Sequence, residues 1–461
     1  MKLKGGYTPT LKGRPSATIH EMPESAVLYF PLKTPRFAFS TLCVDDGAQV
    51  NQGAVLAIDP KNYSVPLLAS RAGTVRLNAI PGHLVLENST LQSSESDDPI
   101  DLPHAPRNID SAGKKRYKLL KLGAWQFVSD VKSGSVPDPF GRPQAVIIST
   151  MRLEPFLARG DVQLRDQLTS FTRGLEHLQS LLEYEPIHLV FPKIHSAFAE
   201  KVRDTVRGYA WIKLFDVSTK YPFDDFRMLA RRLGIASVAP ANTVWGLRTE
   251  GVLAFDRALT SSKSCCSRVI AVGGPAVNKP AHVSVISGYP LPAILEQAGA
   301  GPDVRIVNGG ALTGTALDPL QHGLDTECLG LTVLSTCVSR EFLGFVRPGF
   351  SRRSYCPSFA SAVRPRFSEL ATVALQGEKR ACVACGFCAT VCPARLMPAA
   401  MHKLIFQGQL EQAEQHRPDL CIGCGLCSYV CPSKIDLRAE IREAHEKVQQ
   451  ELLAEQSGAT S

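Results

Sequence analysis

The rhythm of hydrophobic and polar positions changes several times along the 461-residue chain, and each change predicts a different kind of element. From about 37 to 78, short apolar runs alternate with glycines: Gly47-Ala-Gln-Val50, Gly53-Ala-Val-Leu56 and Ala69-Ser-Arg-Ala-Gly73-Thr-Val75. Glycines at the turns with alternating apolar residues between them predict a flattened β-barrel. No lysine sits at a hairpin tip to carry a prosthetic arm, so the barrel reads as structural. The preceding residues 1–36 are turn-rich, and 90–110 are polar with Pro99, Pro103 and Pro106, which reads as a linker.

After Gly123-Ala-Trp125 the period becomes that of an α/β unit. Residues 145–150 are a continuous apolar run, typical of a parallel strand buried on both faces. Leu164, Leu168, Phe171, Leu175, Leu178 and Leu182 then recur at helical spacing until Pro186. A strand at 187–191, a helix at 197–208 and a strand at 211–217 continue the alternation, which builds βαβ units. Residues 268–318 are again β-rich, with strands at 269–275 and 304–310 around a turn and short helix at 287–295. A further strand pair is expected at 326–340. The stretch 349–370, with Arg352, Arg353, Arg364 and Arg366 after Arg347, is a basic, proline-containing connector. Its plain reading is a solvated linker, and its sharper reading is a docking strip for an acidic partner.

Near the C-terminus, 398–407 and 409–415 read as two short helices broken at Gly408, with Met401, Leu404, Ile405, Leu410 and Ala413 as an apolar face. Asp436 is placed to cap a last helix whose stripe is Leu437, Ile441, Ala444, Val448 and Leu452. Residues 456–461 are expected to fray.

On either side of the two short helices lie the residues that carry chemistry. Cys382, Cys385 and Cys388 are followed by Cys392-Pro393; Cys421, Cys424 and Cys427 are followed by Cys431-Pro432. Each run is C-x2-C-x2-C-x3-C-P, the spacing that wraps a [4Fe–4S] cubane with the fourth cysteine ligating the other cluster. One cluster is therefore expected on Cys382, Cys385, Cys388 and Cys431, and its partner on Cys421, Cys424, Cys427 and Cys392. Thiolate is the soft ligand such clusters select. Gly386, Gly423 and Gly425 let the loops curl so that backbone N–H groups face sulfur, while Pro393 and Pro432 stiffen the exits. Zinc takes four ligands, usually as two C-x2-C pairs, and does not need a third cysteine at the next step, and disulfides would call for a secreted context.

Composition narrows the rest. The chain is 44% hydrophobic and 20% charged, an ordinary globular balance. A formal net charge of +8 with no long basic block argues against a nucleic-acid partner. Cys43, Cys265, Cys266, Cys328, Cys337 and Cys356 read as buried small hydrophobes. The start Met1-Lys-Leu-Lys-Gly5 has no apolar core of a signal peptide, and no apolar run approaches the ~18–20 residues that span a bilayer, so a cytoplasmic chain without its own membrane span is expected. No acid–base or nucleophilic constellation is visible, and the eleven histidines are scattered. No G-x-G-x-x-G follows a strand.

These stretches resemble a known family. Leu396-Met-Pro398, Gly408-Gln-Leu-Glu-Gln-Ala-Glu414 and Tyr429-Val-Cys-Pro-Ser-Lys-Ile435, with the doubled cysteine motif, resemble the ferredoxin-like domain of RnfC, from the Rnf electron-transport complex. Gly5-Gly-Tyr-x4-Lys-Gly-Arg-Pro15, Ile148-Ser-Thr-Met-Arg-Leu-Glu-Pro155, Val272-Gly-Gly-Pro275, the run from Arg305 to Gly314, and Glu341-Phe-Leu-Gly-Phe-Val-Arg-Pro-Gly349 are similar to NqrA, from the sodium-translocating NADH:quinone reductase. The resemblance implies a peripheral subunit of an Nqr- or Rnf-type ion-translocating complex on the cytoplasmic face of the inner membrane. It would relay electrons between a soluble donor or acceptor and membrane subunits, and would be part of an oxidoreductase rather than a self-contained catalyst. Two alternatives stay open: a soluble flavin- or NADH-dependent iron–sulfur oxidoreductase, similar to the cobalamin-reductase relatives of RnfC, and a docking subunit whose clusters are structural. The glycine-rich loop that RnfC carries is missing around 122–141, so no FMN or NAD site is expected. Quinone is a family partner that no residue here places. The implied architecture is a lipoyl-like barrel-sandwich hybrid at 1–90, a linker at 91–122, a Rossmann-like α/β domain at 123–260 and a β-grasp-like, SLBB-type domain at 261–348. A basic linker at 349–370 and a helical dicluster ferredoxin domain at 371–461 complete it.

Overall fold

The computed structural model describes residues 4–91, 110–193, 197–235, 243–317, 321–336 and 379–458. Most of the polar linker, the basic connector with its five arginines, Cys337, Cys356 and residues 459–461 lie outside the described residues.

Alternation builds the first unit. Leu28–Pro31, His83–Thr90, Ala72–Ile80 and Gln49–Val50 form one antiparallel sheet in that order, and Thr41–Leu42, Val55–Asp59 and Val65–Leu68 form a second. Leu28 lies opposite Leu86 and Phe30 opposite Leu84, all four fully buried, so the period-two pattern fixes the register.

The α/β unit has four parallel strands and an antiparallel edge, in the order Ile212–Val217, Ile187–Pro192, Pro143–Ser149, Thr243–Arg248, Ser129–Asp130. Val146, Ile147 and Ile148 are completely buried, as a strand covered on both faces requires. The helix expected from Leu164 to Leu182 divides into Gly160–Gln163 and Leu168–Gln179. Helix Ser111–Lys121 lies in the stretch read as linker; it is capped by Asp110, which accepts from the Gly113 N–H at 2.6 Å. It is basic over most of its length and buries little beyond Leu119 and Leu120, which left no apolar period to read. Trp125 meets Trp245 edge-on at 5.1 Å inside a core continuous with that of the first unit.

The third unit is a six-stranded mixed sheet in the order Ile19–Glu21, Ala281–Ile286, Ser267–Gly273, Gly330–Ser335, Val304–Asn308, Thr315–Ala316, with helix Leu291–Gln297 against it. Ile19–Glu21 pairs in parallel with Ala281–Ile286, so the chain before Leu28 serves the third unit rather than the barrel. Close approach holds it there: Gly13 adopts φ +81, and a Cβ on it would lie 2.0 Å from the Gly274 carbonyl oxygen.

In the C-terminal unit, Pro398–Phe406 and Leu410–Glu414 are separated by Gly408 in a left-handed conformation. The last helix, Leu437–Gly458, buries Leu437, Ile441 and Val448, but Leu452 is 45% exposed because the helix outruns the body it packs on. Among the described residues, no helix is long and apolar enough to cross a membrane.

Candidate metal centre

The two cysteine runs fold as two loops with the same pattern of left-handed positions. In each, a residue in the left-handed region (Ala384, φ 54; Gly423, φ 67) precedes the second cysteine, and a left-handed glycine (Gly386, φ 76; Gly425, φ 73) follows it and starts a short helix. Arg395 and Lys434, also left-handed, mark the two exits after Cys-Pro. The loops face two separate cavities. One is lined by Cys382, Cys385, Cys388 and Cys431, the other by Cys392, Cys421, Cys424 and Cys427. The fourth cysteine of each run thus faces the other run's loop.

The donor set fits a polynuclear group in each cavity. Four cysteines line each cavity, the soft thiolate set and the number that a cubane takes. Backbone N–H groups already point at sulfur: Leu396 donates to Cys392 Sγ at 3.3 Å and Gly423 to Cys421 Sγ at 3.4 Å. Burial pushes the thiols of Cys388 and Cys392 up, that of Cys424 to about 12, and that of Cys427 up as well. Thiolates so desolvated need a bound cation to compensate their charge, and metal binding there releases protons. Cys265, Cys266 and Cys328 are buried, as expected, whereas Cys43, expected to be buried with them, is partly exposed.

The surroundings of the loops differ. Ala381, Val383, Ala384 and Gly386 of the first loop are exposed, whereas Ile422, Gly425 and Leu426 of the second are buried. Two other units provide the cover. Tyr221 of the α/β unit donates its hydroxyl to the Cys424 carbonyl at 2.8 Å. Arg227 donates to the carbonyls of Cys421 at 3.2 Å and Ile422 at 2.6 Å. Leu312 of the third unit packs so closely that a Cβ on Gly425 would lie 2.6 Å from its carbonyl oxygen. Arg438, from the last helix, donates to the carbonyls of Leu312 at 2.9 Å and Thr313 at 3.1 Å. Glu154 in turn accepts from the backbone N–H groups of Leu312 and Thr313 and from the Thr313 hydroxyl. Burial raises the Glu154 carboxyl and those bonds oppose the rise. The N-terminal stretch completes the seam: Gly6 N–H donates to Val391 O at 2.8 Å, and a Cβ on Gly5 would lie 2.5 Å from Cys392 O.

A cavity of about 800 Å3 opens beside the second loop. Its walls include Arg152, just past the carboxyl end of strand Pro143–Ser149, and Arg248, at the end of Thr243–Arg248, together with Cys421 and Cys424. The two strands are neighbours from which the sheet runs in opposite directions, the switch point where open α/β sheets place ligands. Arg248 pairs with Asp224 at 3.1 Å and Arg152 pairs with Glu250, so much of the cavity's charge is balanced internally.

Tyr221, Arg227 and Arg438 have no motif of their own and were not singled out from the sequence. A signal was present in the stretches that carry the family resemblance. Residues 5–15, 148–155, 272–275 and 305–314 meet one another, and three of these four meet the C-terminal unit or its immediate support.

Residues 111–263 match the model of the NqrA second alpha/beta domain, and 381–435 match the 4Fe-4S dicluster domain. The chain is NqrA-like and carries a ferredoxin domain. It is 23% identical over 420 residues to NqrA of the Na(+)-translocating NADH-quinone reductase of Yersinia pseudotuberculosis, covering 90% of this chain and 91% of that one. NqrA of Pseudomonas aeruginosa is 26% identical over 383 residues, covering 81% and 82%. NqrA of Neisseria meningitidis is 25% identical over 422, covering 90% and 91%. Among solved structures, a chain of an NAD+-reducing [NiFe]-hydrogenase aligns with a TM-score of 0.43 at 14% identity, covering 71% of this NqrA-like chain and 63% of that chain, a likeness too distant to bear on function. The match at 111–263 begins at helix Ser111–Lys121, where the α/β unit starts in the structure.

Proposed function

We propose that this NqrA-like chain is a peripheral electron-transfer subunit of an Nqr-type NADH:quinone oxidoreductase complex. It relays single electrons through two [4Fe–4S] clusters, one on Cys382, Cys385, Cys388 and Cys431 and one on Cys392, Cys421, Cys424 and Cys427. The observation that carries the reading is the sorting of eight cysteines into two foursomes around two adjacent cavities. When bound, each cluster supplies one-electron storage. The chain contributes the rest: thiolates to hold iron, N–H groups aimed at sulfur, and apolar cover from Leu396, Met401, Ile435 and Ile441 that limits water. Its partners are the membrane subunits of the complex and a soluble electron donor or acceptor on the cytoplasmic side.

A second reading is favoured by the cavity at the sheet's switch point. A small redox molecule entering there would lie beside Cys421 and Cys424, and the chain would then oxidise or reduce that molecule itself. Anaerobic EPR of the cluster-reconstituted chain, titrated first with NADH and then with dithionite, separates the two. Reduced-cubane signals with dithionite alone support the relay. Reduction by NADH alone supports the second reading, and failure to assemble two cubanes sinks both.

A further inference from the structure

Burial acts on the two loops in opposite ways to what an even relay needs. Reducing a cubane adds negative charge, and low-dielectric surroundings disfavour that charge. The second loop is the buried one, with Ile422 8% exposed against 66% for its counterpart Val383. Left alone, the covered cluster would be the harder one to reduce.

The cover, however, brings positive charge and donors with it. Arg227 stands in the first turn of helix Phe226–Leu233, which Asp225 caps by accepting from the Arg227 N–H at 3.0 Å. From there its guanidinium forks onto two successive carbonyls, those of Cys421 and Ile422. Tyr221, 4% exposed, reaches a third, that of Cys424. A donor on a peptide carbonyl polarises that peptide and makes its N–H a stronger donor. In this loop the N–H groups face the sulfurs, as Gly423 does toward Cys421 Sγ. Hydrogen bonds to cluster sulfur are among the protein's levers on potential. Asp225 offsets part of the guanidinium charge, with its carboxylate 3.5 Å from Arg227 Nε. It does not reverse the sign, because removing Arg227 leaves that carboxylate beside the second loop with Arg248, already paired with Asp224, as its cationic neighbour.

We infer that Arg227 and Tyr221 raise the reduction potential of the second-loop cluster, by polarising the Cys421, Ile422 and Cys424 peptides, so that the buried cluster accepts an electron from the exposed one. The inference rests on the two-cubane reading above and names the residues that tune one cubane within it.

The test is a redox titration of the full, cluster-reconstituted chain followed by EPR, with iron and sulfide counted first. Arg227→Gln is expected to shift the oxidised-to-reduced equilibrium of one couple about tenfold toward oxidised, which is about 59 mV for one electron, and to leave the other couple in place. Arg227→Lys keeps the charge and should recover more than half of that shift. Tyr221→Phe removes one hydroxyl and should shift the same couple roughly threefold, about 28 mV by the same constant; it carries the test if Arg227→Gln does not fold. If two cubanes are present and neither couple moves in Tyr221→Phe or Arg227→Gln, these side chains are only a clamp between units and the inference is wrong. If two cubanes do not assemble in the parent chain, the reading beneath it falls and the inference with it.

Discussion

The two cysteine loops share a spacing and a backbone, yet one faces outward and the other is the hub where three units meet. Val383 and Ile422 occupy the same position in the two loops, as do Gly386 and Gly425, and in each pair only the second-loop residue is buried. A repeat in sequence therefore became two loops with different surroundings. The first loop exposes Val383, Ala384 and Gly386. The second is held by Tyr221, Arg227, Leu312 and the N-terminal glycines, so its geometry depends on residues hundreds of positions away in the chain. Cluster ligation is thus local, whereas cluster environment is a tertiary property.

The largest expected effect comes from removing one ligand on each side. Cys385→Ser and Cys424→Ser should each cost one cubane, read as iron content, because cluster binding energy is folding energy for a loop this short. Only Cys424→Ser should also free the C-terminal unit from the body. Limited proteolysis of the connector side and the apparent Tm of the whole chain report that difference. If both variants leave docking equally intact or equally lost, the loops are not the inequivalent pair described above.

A finer distinction needs no loss of ligand. Gly386→Ala places a Cβ in open space at φ 76, so it should cost only left-handed strain, about 1–2 kcal/mol. Gly425→Ala adds the same strain to a 2.6 Å approach to the Leu312 carbonyl oxygen. That sum is roughly 2–5 kcal/mol, and it should appear as weakened docking as well as reduced stability. Thermal denaturation of the reconstituted chain, followed by cluster absorbance and by tryptophan emission, separates local from global loss. Equal effects of the two alanines would mean that the close approach of Leu312 does not hold the second loop.

Much of this was legible in residues that act through their neighbours in sequence. Cysteine spacing, the apolar run at Val146-Ile-Ile148 and the break at Gly408 all depend on local pattern, and the structure has a strand and a helix boundary at the last two. Less legible was anything that depends on docking. Ile19–Glu21 is exposed along its length and pairs with a strand more than 250 residues later, so its three residues show no alternation. Strand Thr243–Arg248 and helix Thr249–Ser261 complete the α/β sheet beyond the point where the alternation was followed. Arg227 carries no local motif; helix Phe226–Leu233 is what points it at the second loop. His282 is similar: fully buried, it donates from Nδ1 to Ser16 O at 2.6 Å and accepts the Arg159 N–H at Nε2, tying three segments that are remote in the chain.

The smallest effect lies at the one position where the loops differ in backbone chemistry. Ala384 holds φ 54 where the second loop has Gly423 at φ 67. A side chain in the left-handed region costs about 1–2 kcal/mol, and glycine avoids it. Ala384 is exposed, so exchanging it removes little packing. Against that gain stands the extra freedom glycine gives the unfolded chain, roughly 0.4–1 kcal/mol. Ala384→Gly should therefore stabilise the first loop by about 0.5–1 kcal/mol and slow loss of its cluster to a chelator, with the second cluster unaffected. The reverse exchange, Gly423→Ala, meets no atom within 4 Å and should cost about as much. Chelator-driven bleaching of the two variants beside the parent chain checks both signs at once. A destabilised Ala384→Gly would mean that the first loop is braced by something other than its own backbone, and that its exposed face is less independent than its surface suggests.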